Sequence, residues 1–220
     1  MHKLVRVWDL PVRLFHWALV VCVVGLLVTS QIAGQAMTWH FRFGYAVFTL
    51  LLFRLGWGLI GGHWSRFSSF LYSPVTLWRY LRGARGPKTD TGHTPIGALS
   101  VFAMLLLLSL QVVSGLFSDD EIAAAGPLTA LVSKQVVSTA TFYHTAIGKY
   151  AVLGLIVLHL LAITFYSRLR NKPLVKTMLT GDSLADASTP SSLDSAADRL
   201  RALALLLGCA ASAGTLFWLL

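Results

Sequence analysis

Apolar residues fall in five long blocks along this chain, at about 14–33, 41–60, 96–117, 142–166 and 202–220, and polar or charged residues gather between them. Each block approaches the roughly 20 residues that a helix needs to cross the hydrocarbon layer of a bilayer. Several contain Gly, Ser and Thr, which let membrane helices approach closely. The pattern therefore predicts an all-α integral membrane protein: a four-helix transmembrane domain over 1–178, a linker over 179–199, and an additional C-terminal transmembrane helix over 200–220. The segment 61–95 mixes arginine with Trp64, Phe67, Phe70, Tyr72, Trp78 and Tyr80, which suits chain lying at the membrane interface. The loop 118–141 is expected to hold a short helix. Residues 180–198 are dominated by Asp, Ser, Thr, Pro and Ala and read as a linker of low order. In the last block, the run Gly208-Cys209-Ala210-Ala211-Ser212-Ala213-Gly214 suits tight packing against another helix.

Composition agrees, with 55% hydrophobic and 12% charged residues, too apolar for a soluble domain of this length. The net charge of +9 would suit phosphate binding if it were clustered on one soluble face, but its distribution argues against a nucleic-acid partner. Lys3, Arg6 and Arg13 precede block one; Arg66, Arg79, Arg82, Arg85 and Lys88 follow block two; Arg168, Arg170, Lys172 and Lys176 follow block four. The alternate loops, 34–39 and 118–141, hold only Lys134 among Lys and Arg. Positive charge collects in cytoplasmic loops, so the N-terminus, the 61–95 loop and the linker are expected in the cytoplasm. Affinity for anionic membrane lipid is secondary to that. A basic start followed by an apolar run also resembles a signal peptide, with Ala33 and Ala36 near a cleavage point; against this, the run is long enough to span, and cleavage would discard His16. Cys22 and Cys209 lie within blocks and belong to no C-x-x-C-H motif, so they read as packing residues.

Four histidines, His16, His40, His144 and His159, stand inside these apolar blocks, where polar residues are costly and ask for a partner. From a cytoplasmic N-terminus, His16 lies near the inner face, His40 and His144 near the outer face. His159, fifteen residues after His144, is about 22 Å deeper and within about 60° of a whole number of turns, so both face broadly one side. Depth pairs His16 with His159 and His40 with His144. Two imidazoles at each of two levels suit two haem groups, held non-covalently in the absence of an attachment motif. Zinc is the competitor, but two histidines without nearby Cys, Asp or Glu make a poor zinc site. Single membrane histidines are more often structural; four at matched depths favour ligation.

Gly44 and Gly148 each stand four residues after a candidate ligand, one turn away on the same face, where a missing side chain would admit a flat macrocycle. Ordinary helix packing explains them equally well. Arg54, inside the second block near the inner level, is expensive unpaired and would suit a haem propionate; Arg42 would serve the outer haem similarly, and Lys149 would pair with a propionate or snorkel outward. His63 and His93 read as loop histidines, and His2 carries no signal.

The opening Val7-Trp8-Asp9-Leu10-Pro11-Val12-Arg13-Leu14-Phe15-His16-Trp17 resembles that of the prokaryotic cytochrome b561 family, which includes b-type cytochrome subunits of nickel–iron hydrogenases. The resemblance continues through His40-Phe41-Arg42-Phe43-Gly44-Tyr45, Arg54-Leu55-Gly56-Trp57-Gly58, Arg66-Phe67-Ser68-Ser69-Phe70, Gly92-His93-Thr94-Pro95-Ile96-Gly97-Ala98 and Met178-Leu179-Thr180-Gly181, covering about residues 5–181. It implies a four-helix bundle holding two b haems, with ligands that match His16, His40, His144 and His159. It also implies a bacterial inner-membrane electron carrier working between quinone and a hydrogenase or a periplasmic c-type cytochrome, with a quinone site near His93 and Gly97. The linker and fifth block lie outside the family pattern, and a homo-oligomer is compatible with it. Asp119, Asp120 and Glu121 make the outer loop acidic, which favours docking of a basic partner or is simply a solvated loop. The alternative is a stand-alone superoxide:quinone oxidoreductase, which needs a positive outer mouth that only Arg42 and Lys134 supply. A haem-free anchor or transporter is a third class, disfavoured by the lack of acidic residues inside the blocks.

Overall fold

A computed structural model describes residues 2–32, 34–83, 91–122 and 124–218. Ala33, Arg85 and Lys88, named above for processing and charge, lie outside the described residues. The chain is mostly helical, and four of its helices are long and apolar enough to cross a membrane.

A strand β1 (His2–Arg6) leads into helix α1 (Leu10–Thr29). Asp9 sets where α1 begins: its carboxylate accepts from Val12 N at 2.9 Å, the geometry of a side chain closing a helix N-terminus, and Pro11 suits the first turn. Helix α2 (Ala36–Ile60) follows, then two short helices, α3 (Phe67–Phe70) and α4 (Pro74–Leu81), the latter capped by Ser73. Helix α5 (Pro95–Leu116) is the third long span. The loop after it holds a 3-10 turn (Thr129–Leu131).

That turn is the short helix expected in the loop, and the fourth span starts soon after it. Ser133 caps α6 (Lys134–Phe142), which runs through a π-helical turn (Tyr143–Gly148) into α7 (Lys149–Leu169). The cap, not the hydrophobic boundary, fixes where this helix starts. A short α8 (Leu174–Thr180), strand β2 (Asp182–Asp186) and helix α9 (Ala196–Trp218) complete the described chain. Helix α9 begins six residues before the apolar block because Ser195 and Asp198 satisfy each other's backbone N–H groups, at 3.1 and 3.2 Å.

The expectation of low order over 180–198 is corrected. Strand β2 pairs antiparallel with β1, with Arg6 opposite Asp182 and His2 opposite Asp186. Arg6 bridges Asp182 at 2.8 Å and Asp194 at 3.1 Å. Ser192 donates to Val7 O and accepts from Trp64 N, and Trp64 Nε1 donates to Pro190 O. A polar composition predicts disorder only where no partner is available, and here the partner is the far end of the chain. At Gly181 the chain turns with φ 90°, and an added Cβ would lie 2.5 Å from Trp8 O, so only glycine fits.

The chain divides into two compact units. One comprises Met1–His16, Arg54–Ala103 and Leu158–Leu205; the other comprises Trp17–Phe53, Met104–Val157 and Leu206–Leu220. Burial in the first centres on Val5, Val7, Trp8, Trp57, Trp64 and Phe70. In the second it is sparse, with Val47, Leu51 and Phe53 the main members. Leu106, Leu110, Val113, Val157 and Leu161 stand exposed, as residues bathed in lipid rather than water would.

Candidate haem centres

Each unit contains one histidine pair. In the first, α1 brings His16 and α7 brings His159 to a ring-centre separation of 6.5 Å, with planes inclined by 51°. In the second, α2 brings His40 and the π turn brings His144 to 6.3 Å, with planes inclined by 85°. These are the pairings that depth assigned. An imidazole nitrogen lies about 1.2 Å from its ring centre and binds a first-row metal at about 2.0–2.1 Å, so two rings on opposite sides of one ion stand about 6.4 Å apart. Both pairs leave room for one metal centre. Among the described residues no group of three or more His, Cys, Asp or Glu gathers to hold a metal ion, which suits a cofactor needing two axial ligands better than it suits zinc.

The second pair is also oriented from behind. His144 Nδ1 lies 2.8 Å from Gln111 O, a carbonyl that only accepts, so Nδ1 carries the proton and Nε2 keeps its lone pair. Thr29 Oγ1 donates to Gly25 O at 2.7 Å, so its oxygen is left to accept from His40 Nδ1 at 3.3 Å. Backing of this kind fixes ring orientation and makes the free nitrogen a better ligand. The π turn around His144 supplies the rest. Such turns insert an extra residue into a helix and cluster at functional sites; here Gln111 Nε2 donates to His144 O at 2.9 Å, inside that turn. An added Cβ at Gly115 would come within 2.8 Å of the His144 ring, so glycine there makes space for the imidazole.

The other candidates divide. Arg54 is 3% exposed, stacks on Phe67 at 4.7 Å, and its Nη1 has no hydrogen-bond partner among the described residues. A buried cation with a donor to spare fits an anionic group of a cofactor. Around Gly44 the space is open, as a slot requires. At Gly148 an added Cβ would collide with Gln111 Oε1, so the missing side chain there makes room for Gln111. Arg42, two residues beyond His40 and turned about 200° from it around the helix, lines a cavity with Tyr45 and Thr49. Lys149 lies over the Tyr150 ring at 5.7 Å.

Two residues gain weight from the structure. Asp9, 0% exposed, accepts from Trp57 Nε1, Gly62 N and Ser65 Oγ as well as Val12 N. Its place just before Leu10-Pro11 signals the cap, but nothing local signals the other donors. His93 is not a plain loop histidine. Its ring packs between Trp8 at 4.7 Å and Phe70 at 4.4 Å, with a buried Nδ1 that has no partner among the described residues. Burial first, and the Arg54 guanidinium second, push its pKa down to about 3, so the ring is neutral near pH 7. His63 sits edge-on to Trp64 at 5.0 Å.

Comparison with known proteins bears on these centres. The family model of prokaryotic cytochrome b561 matches residues 7–181. The chain is 30% identical over 139 residues to the probable Ni/Fe-hydrogenase 1 B-type cytochrome subunit of Escherichia coli (strain K12), covering 50% of this chain and 57% of that protein. It is 22% identical over 221 residues to the corresponding probable subunit of Bradyrhizobium diazoefficiens, covering 81% and 85%. With that of Azotobacter vinelandii it shares 28% over 131 residues, covering 47% and 54%. The chain thus spans little more than half the length of the E. coli relative it matches. No solved structure matches significantly.

Proposed function

The chain belongs to the prokaryotic cytochrome b561 family, and from that premise we propose that it is a multi-pass membrane cytochrome carrying two haem b groups, which moves electrons between the quinone pool and a redox partner. One observation supports the haem number above all: two separate histidine pairs whose ring centres stand 6.5 and 6.3 Å apart, each the spacing of one bis-imidazole centre. His16 and His159 would hold the cytoplasmic-side group, His40 and His144 the periplasmic-side group, and Arg54 a propionate of the first. When bound, haem b supplies a one-electron carrier whose potential the protein tunes through ligands, hydrogen bonds and burial. The chain's own part is to keep each Nε2 bare, as the Gln111 carbonyl and the Thr29 hydroxyl do in the second pair, and to exclude water with apolar helix faces.

A hydrogenase is the preferred partner, because the relatives compared are named as hydrogenase cytochrome subunits; a periplasmic c-type cytochrome is the other. The protein is placed in the bacterial inner membrane with its N-terminus in the cytoplasm, and α9 is read as a fifth span. The quinone is sought near His93 and Gly97, where the His93 ring is buried beside Arg54.

Haem content and redox titration of purified protein test this reading. Two haems per chain are expected; His16→Ala and His159→Ala should each remove the same one, and His40→Ala and His144→Ala the other. Any one of these variants that keeps both haems overturns the pairing.

A further inference from the structure

Two cavities share Thr38 and Arg42 at the start of α2. One, of about 590 Å³, lies at the end of the span and is lined by Gln35, Ala36, Thr38, Trp39 and Arg42. The other, of about 780 Å³, continues inward along α2 past Tyr45 and Ala46 to Thr49, with Ala210, Ala213 and Gly214 of α9 on its opposite wall. The first is polar at its mouth and the second chiefly apolar, and one arginine stands at their junction.

Arg42 has no carboxylate within ion-pair distance among the described residues; its guanidinium lies 4.8 Å from the Trp39 ring centre. The small residues of α9 add a second observation. Within this run Ala213 is buried, while added Cβ atoms at Gly208 and Gly214 would meet nothing within 4 Å, and Ala210, Ala213 and Gly214 line the cavity. Small side chains here leave the groove open along α9.

We propose that these joined cavities bind one anionic phospholipid, its phosphate on Arg42 and Thr38 and an acyl chain along the groove between α2 and α9. The charge at the head-group level is of the right sign, and arginine grips phosphate with paired donors. A quinone has the tail but no charge for Arg42. This site belongs to α9, which lies beyond the family-matched residues, and it rests on the reading of α9 as a span.

Native mass spectrometry of the delipidated full chain, re-supplied with phosphatidylglycerol or phosphatidylcholine, tests the proposal. One phosphatidylglycerol per chain should be retained, about tenfold or more over phosphatidylcholine, whose phosphate is already balanced by its own choline cation while that of phosphatidylglycerol leaves a net charge for Arg42. Arg42→Gln should erase the preference, and Gly214→Leu should fill the groove and lower retention of both lipids. Equal retention of the two lipids by the wild type overturns the site, as does a quinone or a second copy of the chain held there. Loss of one haem from Arg42→Gln overturns it too, by returning Arg42 to a propionate. If α9 does not span, labelling of a cysteine introduced at Ser212 by a membrane-impermeant reagent will show it separately from the lipid measurement.

Discussion

Asp9 shows how one side chain can join distant segments without touching the chemistry. Its carboxylate caps α1, and it accepts from residues 48 to 56 positions away, Trp57 and Ser65 among them. Asp9→Ala would leave several buried donors unsatisfied and remove a helix cap, a loss of about 3 kcal/mol. The expected outcome is a clear fall in thermal midpoint in detergent, with Asp9→Asn less affected because its side-chain oxygen still accepts; an unchanged Asp9→Ala midpoint would contradict it. His93 makes a second prediction, through pH. Its folded pKa is lowered to about 3 from an ordinary value near 6.5, so between those limits the unfolded chain binds more protons. Stability therefore rises with pH across about 3–6.5 and levels above it. Replacing His93 by Phe should flatten that slope in denaturation measured at several pH values. At this scale the sequence was readable where depth decides, since four histidines and Arg54 stand out against apolar surroundings. It was silent on Asp9's remote donors, on His93's burial and on the side to which Gly148 turns, because each depends on which helix arrives opposite.

Long apolar blocks were legible as helices because length and hydropathy suffice for a span. Their ends were not, since caps at Ser133 and Ser195 outweigh the hydrophobic boundary. The π turn at His144 was invisible too, because a one-residue insertion leaves no compositional mark. Its support is testable: Gln111→Leu removes the 2.9 Å bond to His144 O while leaving the ligand itself. Both haems should remain, with the midpoint potential of the His40/His144 centre shifted and the other unchanged. The acidic loop also looks different in structure. Asp119 accepts from Glu121 N, and Asp120 from Ile122 and Ala124, so two of the three carboxylates build the turn. Charge reversal at Glu121 is thus the cleaner probe of partner docking, and an unchanged low-salt reduction rate in Glu121→Lys would argue against it. The β1–β2 pairing carries its own pH limit. Asp194 is raised by burial but pulled lower overall by hydrogen bonds and by Arg199 and Arg6. With its folded pKa depressed, its contribution is present above about pH 4 and lost as pH falls through the folded value. Protease cutting within 182–195 should increase only below that range.

At the scale of the whole molecule, sidedness follows from contacts rather than from charge alone. Strand β1 precedes the first span and β2 follows the fourth, yet they are hydrogen-bonded, so an even number of crossings separates them. Trp64, between spans two and three, bonds to Pro190 and Ser192 and belongs to the same side. The basic residues Lys3, Arg6, Arg66, Arg79 and Lys172 lie in these segments, and the proposal that this side faces the cytoplasm rests on the positive-inside tendency. Charge counting and strand pairing are independent, and they agree on which loops share a face. The undecided element is α9, with Asp198, Arg199 and Arg201 in its first turns and an apolar stretch after them. If it spans, Trp218 emerges on the opposite side from Arg6. A phosphatase joined after residue 218 should then be active and a fluorescent protein at the same point dark, while fusions in the 61–83 loop behave the opposite way. A fluorescent fusion after 218 would place α9 along the cytoplasmic face, removing both the fifth span and the membrane environment that the Arg42 groove requires.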